Sequence, residues 1–132
     1  MNIFVTDPDP WKSARVLPDK HIVKMPLETC QMLAIVCSLK WGHGFGTLPK
    51  ADGQPYKTIT GAFRNHPCTI WANSFVNNWR WLLAHGFALC DEYALRYGKP
   101  HTCFNTLQAA NEILPCADPQ GRRGKGPTPF VF

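Results

Sequence analysis

One stretch of this chain carries side chains of the types that do acid–base work, set at helical spacing. His21, Lys24, Glu28 and Gln31 stand at offsets of three, four and seven within DKHIVKMPLETCQMLAIVCSLK, residues 19–40. At about 100° per residue those offsets share one side of a helix, with Lys20 at its edge. Ile22, Val23, Met25, Leu27, Leu33, Ala34, Val36 and Cys37 take the remaining directions, which predicts a helix buried almost all round. A cation and a carboxylate on such a helix are costly unless they are paired or open to a cleft. Lys24 and Glu28 could close a plain i,i+4 pair with His21 capping the first turn, worth only about 0.2–0.5 kcal/mol on an open surface. The expectation preferred here is that the stripe faces a groove, where acid, base and cation reach one substrate.

The flanking sequence supplies the elements that must position this stripe. Asp9 followed by Pro10 predicts a capped short helix to about Val16, and Pro18 with Asp19 repeats the pattern at the start of the long helix. Pro26 removes a backbone donor inside that helix and should kink it. From WGHGFG, residues 41–46, an irregular stretch to Asn65 carries His43, Lys50, Lys57 and Arg64 against Asp52, interleaved with Trp41, Phe45, Tyr56 and Phe63. Such a loop suits phosphate contact and base stacking, or a solvated segment anchored by its aromatics. In RNHP, residues 64–67, Pro67 suits a first helical position and His66 its cap, leaving Arg64 and Asn65 just outside a positive helix end, a phosphate site.

CTIWANSFV reads as helical, and Asn77 with Asn78 is expected to break it and cap the next helix. That helix, WRWLLAHGFALCDEYALRY, is amphipathic, pairs Glu92 with Arg96 and stops at Gly98. Lys99 and His101 are expected to open a last helix running to about residue 114. The tail beyond it is rich in Pro, Gly and positive charge, with Arg122, Arg123 and Lys125 able to meet a polyanion. The fold class expected is all-α: a compact single domain of four to five helices over residues 1–118, with a long basic loop and an extended tail, 119–132. The abrupt apolar end, FVF, is read as a chain that continues further.

The totals agree with one domain. The chain has 132 residues, is 45% hydrophobic and 17% charged, and carries a formal charge of +5. Its pI near 9.0 favours an anionic partner, nucleic acid first. Its six cysteines lie mostly in apolar helical stretches, and no secretory pattern precedes them, so reduced core thiols in a cytoplasmic protein are expected. Neither C-x-x-C nor H-x-x-x-H occurs, so no metal or other cofactor is expected. No apolar run reaches the roughly 18 residues of a membrane span, and a monomer is expected.

An apolar N-terminal segment followed by Asp19, His21 and, seven residues on, Glu28 in one long helix resembles the pyrimidine-dimer DNA glycosylase and AP lyase family, of the phage endonuclease V and UV endonuclease type. RNHPC, the tryptophan-rich helix and EYALRYGKPH resemble small phage proteins associated with it. The resemblance implies a small basic all-α enzyme that acts on damaged or abasic duplex DNA. In that family the amino-terminal amine attacks the sugar C1′ to form an imine, and a glutamate corresponding to Glu28 drives base loss and β-elimination. The chemistry is reasonable by itself: an α-amine with a pKa of about 7.8 is roughly a tenth neutral at pH 7, an ordinary lysine less than about a thousandth. Asn2 disfavours removal of the initiator methionine, so the amine here belongs to Met1, with Lys24 as the substitute if desolvated. Where the family has arginines beside its glutamate, this chain has Leu27 and Gln31, and Lys20 and Lys24 are expected to replace that charge.

The reading that results is a DNA-repair glycosylase and AP lyase. Met1, His21, Lys24 and Glu28 form its catalytic group, and Lys20, Lys57, Arg64, Asn65, His66, Arg96, Lys99 and His101 contact DNA. The alternatives are a non-catalytic nucleic-acid-binding module and an enzyme acting on a free nucleotide.

Overall fold

The computed structural model describes residues 8–37, 47–56, 67–74 and 76–113. Among them are five helices, α1 (Pro10–Arg15), α2 (Asp19–Cys37), α3 (Pro67–Ser74), α4 (Val76–Tyr97) and α5 (Phe104–Ile113), and no strand. The all-α expectation therefore holds. Met1 and the segment after it, the loop portions 38–46 and 57–66, and the tail lie outside the described residues.

The helix boundaries follow local chemistry. One carboxylate oxygen of Asp9 accepts from the backbone N–H groups of Trp11 at 2.8 Å and Lys12 at 3.3 Å, satisfying two donors of the first turn of α1. Gly98, at φ 71°, ends α4 by donating its N–H to the Ala94 carbonyl at 2.9 Å. Two boundaries differ from expectation. Asn77 and Asn78 do not cap a helix but lie inside α4. Asn78 is fully buried and its Nδ2 donates to the Trp71 carbonyl at 2.8 Å, filling an acceptor left open in the last turn of α3. The last helix begins at Phe104 rather than at His101, which sits in the preceding turn.

α2 and α4 are the antiparallel pair at the centre. Asp19 at the start of α2 meets Arg96 near the end of α4, and Cys37 at the far end of α2 meets the Trp79 indole near the start of α4. Midway, a Cβ on Gly86 would stand 2.8 Å from Leu107 Cδ2 and 3.0 Å from Thr29 Cγ2. The bare glycine lets α2 and α5 close onto α4 at that level. Met32, Leu33 and Val36 of α2, Trp79 and Leu82 of α4, and Leu107 of α5 belong to the main core; Ala14, Leu17, Ile22, Met25 and Leu89 form a second cluster under α1.

The middle of the expected irregular loop is an ordered turn. Pro49 and Pro55 bridge, Tyr56 N–H donates to the Leu48 carbonyl at 3.0 Å, and Gly53 at φ 87° makes the reversal. Leu48 is buried in the main core, and the Thr106 hydroxyl donates to the Pro49 carbonyl at 2.6 Å, so the turn is fastened to α5.

Candidate active site

The first half of α2 is not sealed as its apolar composition predicts. Val23 and Leu27 are 45% and 44% exposed, and with exposed Lys20 and Lys24 they form an open strip that continues to half-buried Gln31. The correction has a simple cause: the described elements packed on α2 cover its opposite side, where Ile22, Met25, Thr29 and Leu33 point. Glu28 stands at the margin of this strip, 8% exposed, and His21, one and a half to two turns before it on the same side, is half-buried. The carboxylate is thus sunk beside a face whose open cations are Lys20 and Lys24.

A cavity of about 360 Å³ adjoins the strip, between Leu27 and Gln31 of α2, Lys50, Asp52 and Tyr56 of the 47–56 turn, and Cys103. The two α2 positions where the resembled family carries arginine therefore face a lysine from the turn. Reading α2 alone could not find Lys50; only the turn's attachment to α5 brings it there.

At the amino-terminal end of α2 the turn after α4 closes the site. His101 donates from Nε2 to the Val23 carbonyl at 2.9 Å and accepts at Nδ1 the Cys103 N–H at 3.0 Å, which fixes a neutral imidazole in one tautomer. Lys99, exposed on the same turn, joins Lys20 and Lys24 at this end of the molecule. Arg96 has a different setting. Its Nη1 donates to Asp19 Oδ1 and to the Leu17 carbonyl, both at 2.8 Å, its Nη2 to the Arg15 carbonyl at 3.0 Å and its Nε to Glu92 at 3.1 Å. The expected Glu92–Arg96 pair is present, within a clamp that ties α4 to the α1–α2 junction. Met1, Lys57, Arg64, Asn65 and His66, expected at the site, lie outside the described residues.

Two residues that sequence reasoning passed over hold the chain leading into α1. Trp81 donates from Nε1 to the Pro8 carbonyl at 2.7 Å, and His85, stacked on Trp81 with ring centroids 4.9 Å apart, donates from Nδ1 to the Pro10 carbonyl at 3.0 Å. The stretch from Pro8 to Pro10 therefore runs alongside α4 from Trp81 to His85. Burial lowers the His85 pKa below its ordinary value, because the charged ring would lose its hydration. A depressed histidine binds its proton more readily in the unfolded chain, so its contribution is intact above about pH 6.5 and lost as pH falls below it. Stability from urea melts should therefore fall by up to about 1.4 kcal/mol per pH unit below pH 6.5 through this group. His85→Asn, which keeps a donor near Nδ1 but does not titrate, should show a shallower fall; an identical slope would acquit His85.

The central helix of this basic all-α protein thus sets a nearly buried carboxylate beside an open lysine face. Residues 1–105 match the pyrimidine dimer DNA glycosylase family, and the chain belongs to that family of DNA-repair glycosylases. No curated protein and no solved structure matches it. Among the described residues no helix is long and apolar enough to cross a membrane, and no cluster of ligand side chains could hold a metal ion.

Proposed function

We propose that the protein removes damaged pyrimidines from duplex DNA and cleaves the resulting abasic strand through an amine-derived imine, with Glu28 as the acid–base group. The observation that carries this reading is the position of Glu28, nearly buried yet bordering the open, lysine-bearing strip of α2, in a chain that matches the family through residue 105. In the reaction the amine nitrogen bonds to C1′ as the base departs with a proton. Loss of the nitrogen proton opens the sugar to an imine, a C2′ proton is then taken, and the C3′–O bond breaks to release phosphate. Water finally returns the amine. Glu28 moves protons at the sugar and stabilises its cationic character. Met1 supplies the amine, with Lys24 as the second choice.

Lys20, Lys24 and Lys99, with His21 beside them, hold the sugar–phosphate chain, His101 holds the turn that carries Lys99 against α2 because both its ring nitrogens are engaged there, and Lys57, Arg64, Asn65 and His66 extend the grip. Lys50 in the adjoining cavity supplies, from the turn, the positive charge that Leu27 and Gln31 do not. Flipping a damaged nucleotide toward Glu28 costs a few kcal/mol, least where pairing is already disturbed.

Incubation with a duplex containing one abasic site and borohydride should trap a covalent protein–DNA adduct, and peptide mapping should place it on Met1 rather than Lys24. Steeply salt-dependent binding without adduct or strand cleavage would instead leave a non-catalytic DNA-binding protein. Competition by mononucleotides but not by duplex would point to a free nucleotide as substrate.

A further inference from the structure

Cys103 and Cys30 lie far apart in the chain and meet in the structure. Cys30, fully buried in the middle of α2, points its Sγ at the Cys103 carbonyl oxygen, 3.8 Å away, and the two thiols are in contact. Cys90 of α4 stands behind them. Of the three, Cys103 lines the cavity at Leu27, Gln31, Lys50 and Tyr56 and Cys90 lines a separate one at Trp11, Phe87 and Phe104, while Cys30 lines neither, so within the Cys30–Cys103 pair a small reagent meets Cys103. Its backbone N–H is pinned by His101, which holds the turn carrying it against α2. We propose that Cys103 is an oxidation site with Cys30 as its resolving partner, and that a small hydroperoxide entering the cavity converts the pair to a disulfide joining α2 to the turn before α5.

The two thiols differ in a way that assigns their roles. Contact with Cys30 lowers the Cys103 thiol from its ordinary range, whereas the contact with Cys103 and burial push Cys30 up. The Cys103 thiolate attacks the peroxide O–O bond, forming a sulfenic acid and releasing the other oxygen as water or alcohol. Cys30 sulfur then attacks the sulfenic sulfur, the S–S bond forms and a water leaves. Two electrons pass from the thiols to the peroxide, and both thiol hydrogens end in the released molecules. The other described cysteines, Cys37 and Cys68, are buried and line neither described cavity.

The full wild-type chain, treated with stoichiometric hydrogen peroxide, quenched with an alkylating agent and digested without reductant, should yield the Cys30–Cys103 linked peptide as the main product. Dithiothreitol should remove it. Brief iodoacetamide treatment of the untreated protein should label Cys103 at least tenfold faster than Cys37 or Cys68. Cys30→Ser should leave Cys103 reactive but convert the product to a stable sulfenic acid, trapped by dimedone. A dominant disulfide between any other pair, or labelling of Cys103 no faster than of Cys37, overturns the proposal, and both readings come from wild-type protein. The DNA reaction enters none of these measurements, so they decide the point whether or not the lyase chemistry stands.

Discussion

Glu28→Gln should slow cleavage of an abasic duplex by about 10²–10⁴-fold while duplex affinity stays within a few-fold of wild type. The substitution keeps the shape and hydrogen-bonding length of the side chain, so the almost buried site stays filled. What it removes is the proton-accepting oxygen and the negative charge, the two properties the imine pathway uses. Lys20 and Lys24 remain on the open strip, and because phosphate contacts dominate DNA affinity, binding should persist. Single-turnover cleavage at saturating enzyme isolates the chemical step, and a salt titration of binding checks the grip on the backbone. Cleavage within a few-fold of wild type would remove Glu28 from the reaction. A melting temperature close to that of wild type is also expected; Glu28→Ala, which empties a buried position, is the poorer test for that reason.

Much of the frame that holds Glu28 was legible because its signals are local. Asp9 before Pro10, Pro67 at a helix start and Gly98 at a helix end each act within one turn, and the structure uses all three as read. Asn78 was misread because an asparagine after a helical run looks like a cap, while here its amide is buried and reaches back to the preceding helix. Exposure on α2 was the harder question. Periodicity says which residues share a side but not which sides other elements cover, so Val23 and Leu27 were expected inside and stand outside. The place of Lys50 beside α2, beyond its membership of a basic loop, and that of Cys103 were not readable for the same reason: the contacts that place them run from the 47–56 turn to α5 and from α2 to the turn before it. These are long-range relations that spacing does not encode. The resemblance supplied what the physics could not, the special role of one carboxylate among several polar residues on the same helix.

Arg96 separates a structural role from a DNA-binding one. Arg96→Met is expected to lower stability by roughly 1.5–3 kcal/mol, nearer the lower figure because part of the side chain is exposed and screened. Methionine fills much of the same space, so the loss comes from the guanidinium: the Leu17 and Arg15 carbonyls lose their donor, and Asp19 and Glu92 lose their cation. Lysine restores the charge but presents no planar fork, so Arg96→Lys should recover little of the stability. If Arg96 also met a phosphate, removing it would flatten the salt dependence of DNA binding by about one unit of slope. The clamp predicts an unchanged slope and a lower melting temperature. The reverse result, a flatter slope with wild-type stability, would mean that the guanidinium leaves Asp19 to reach DNA. An unchanged slope would restrict the cationic grip to Lys20, Lys24, Lys99 and the basic residues of the loop. It would also explain why α2 starts where it does: its first turn is anchored to α4, so Glu28 sits a fixed distance along a helix whose origin cannot slide.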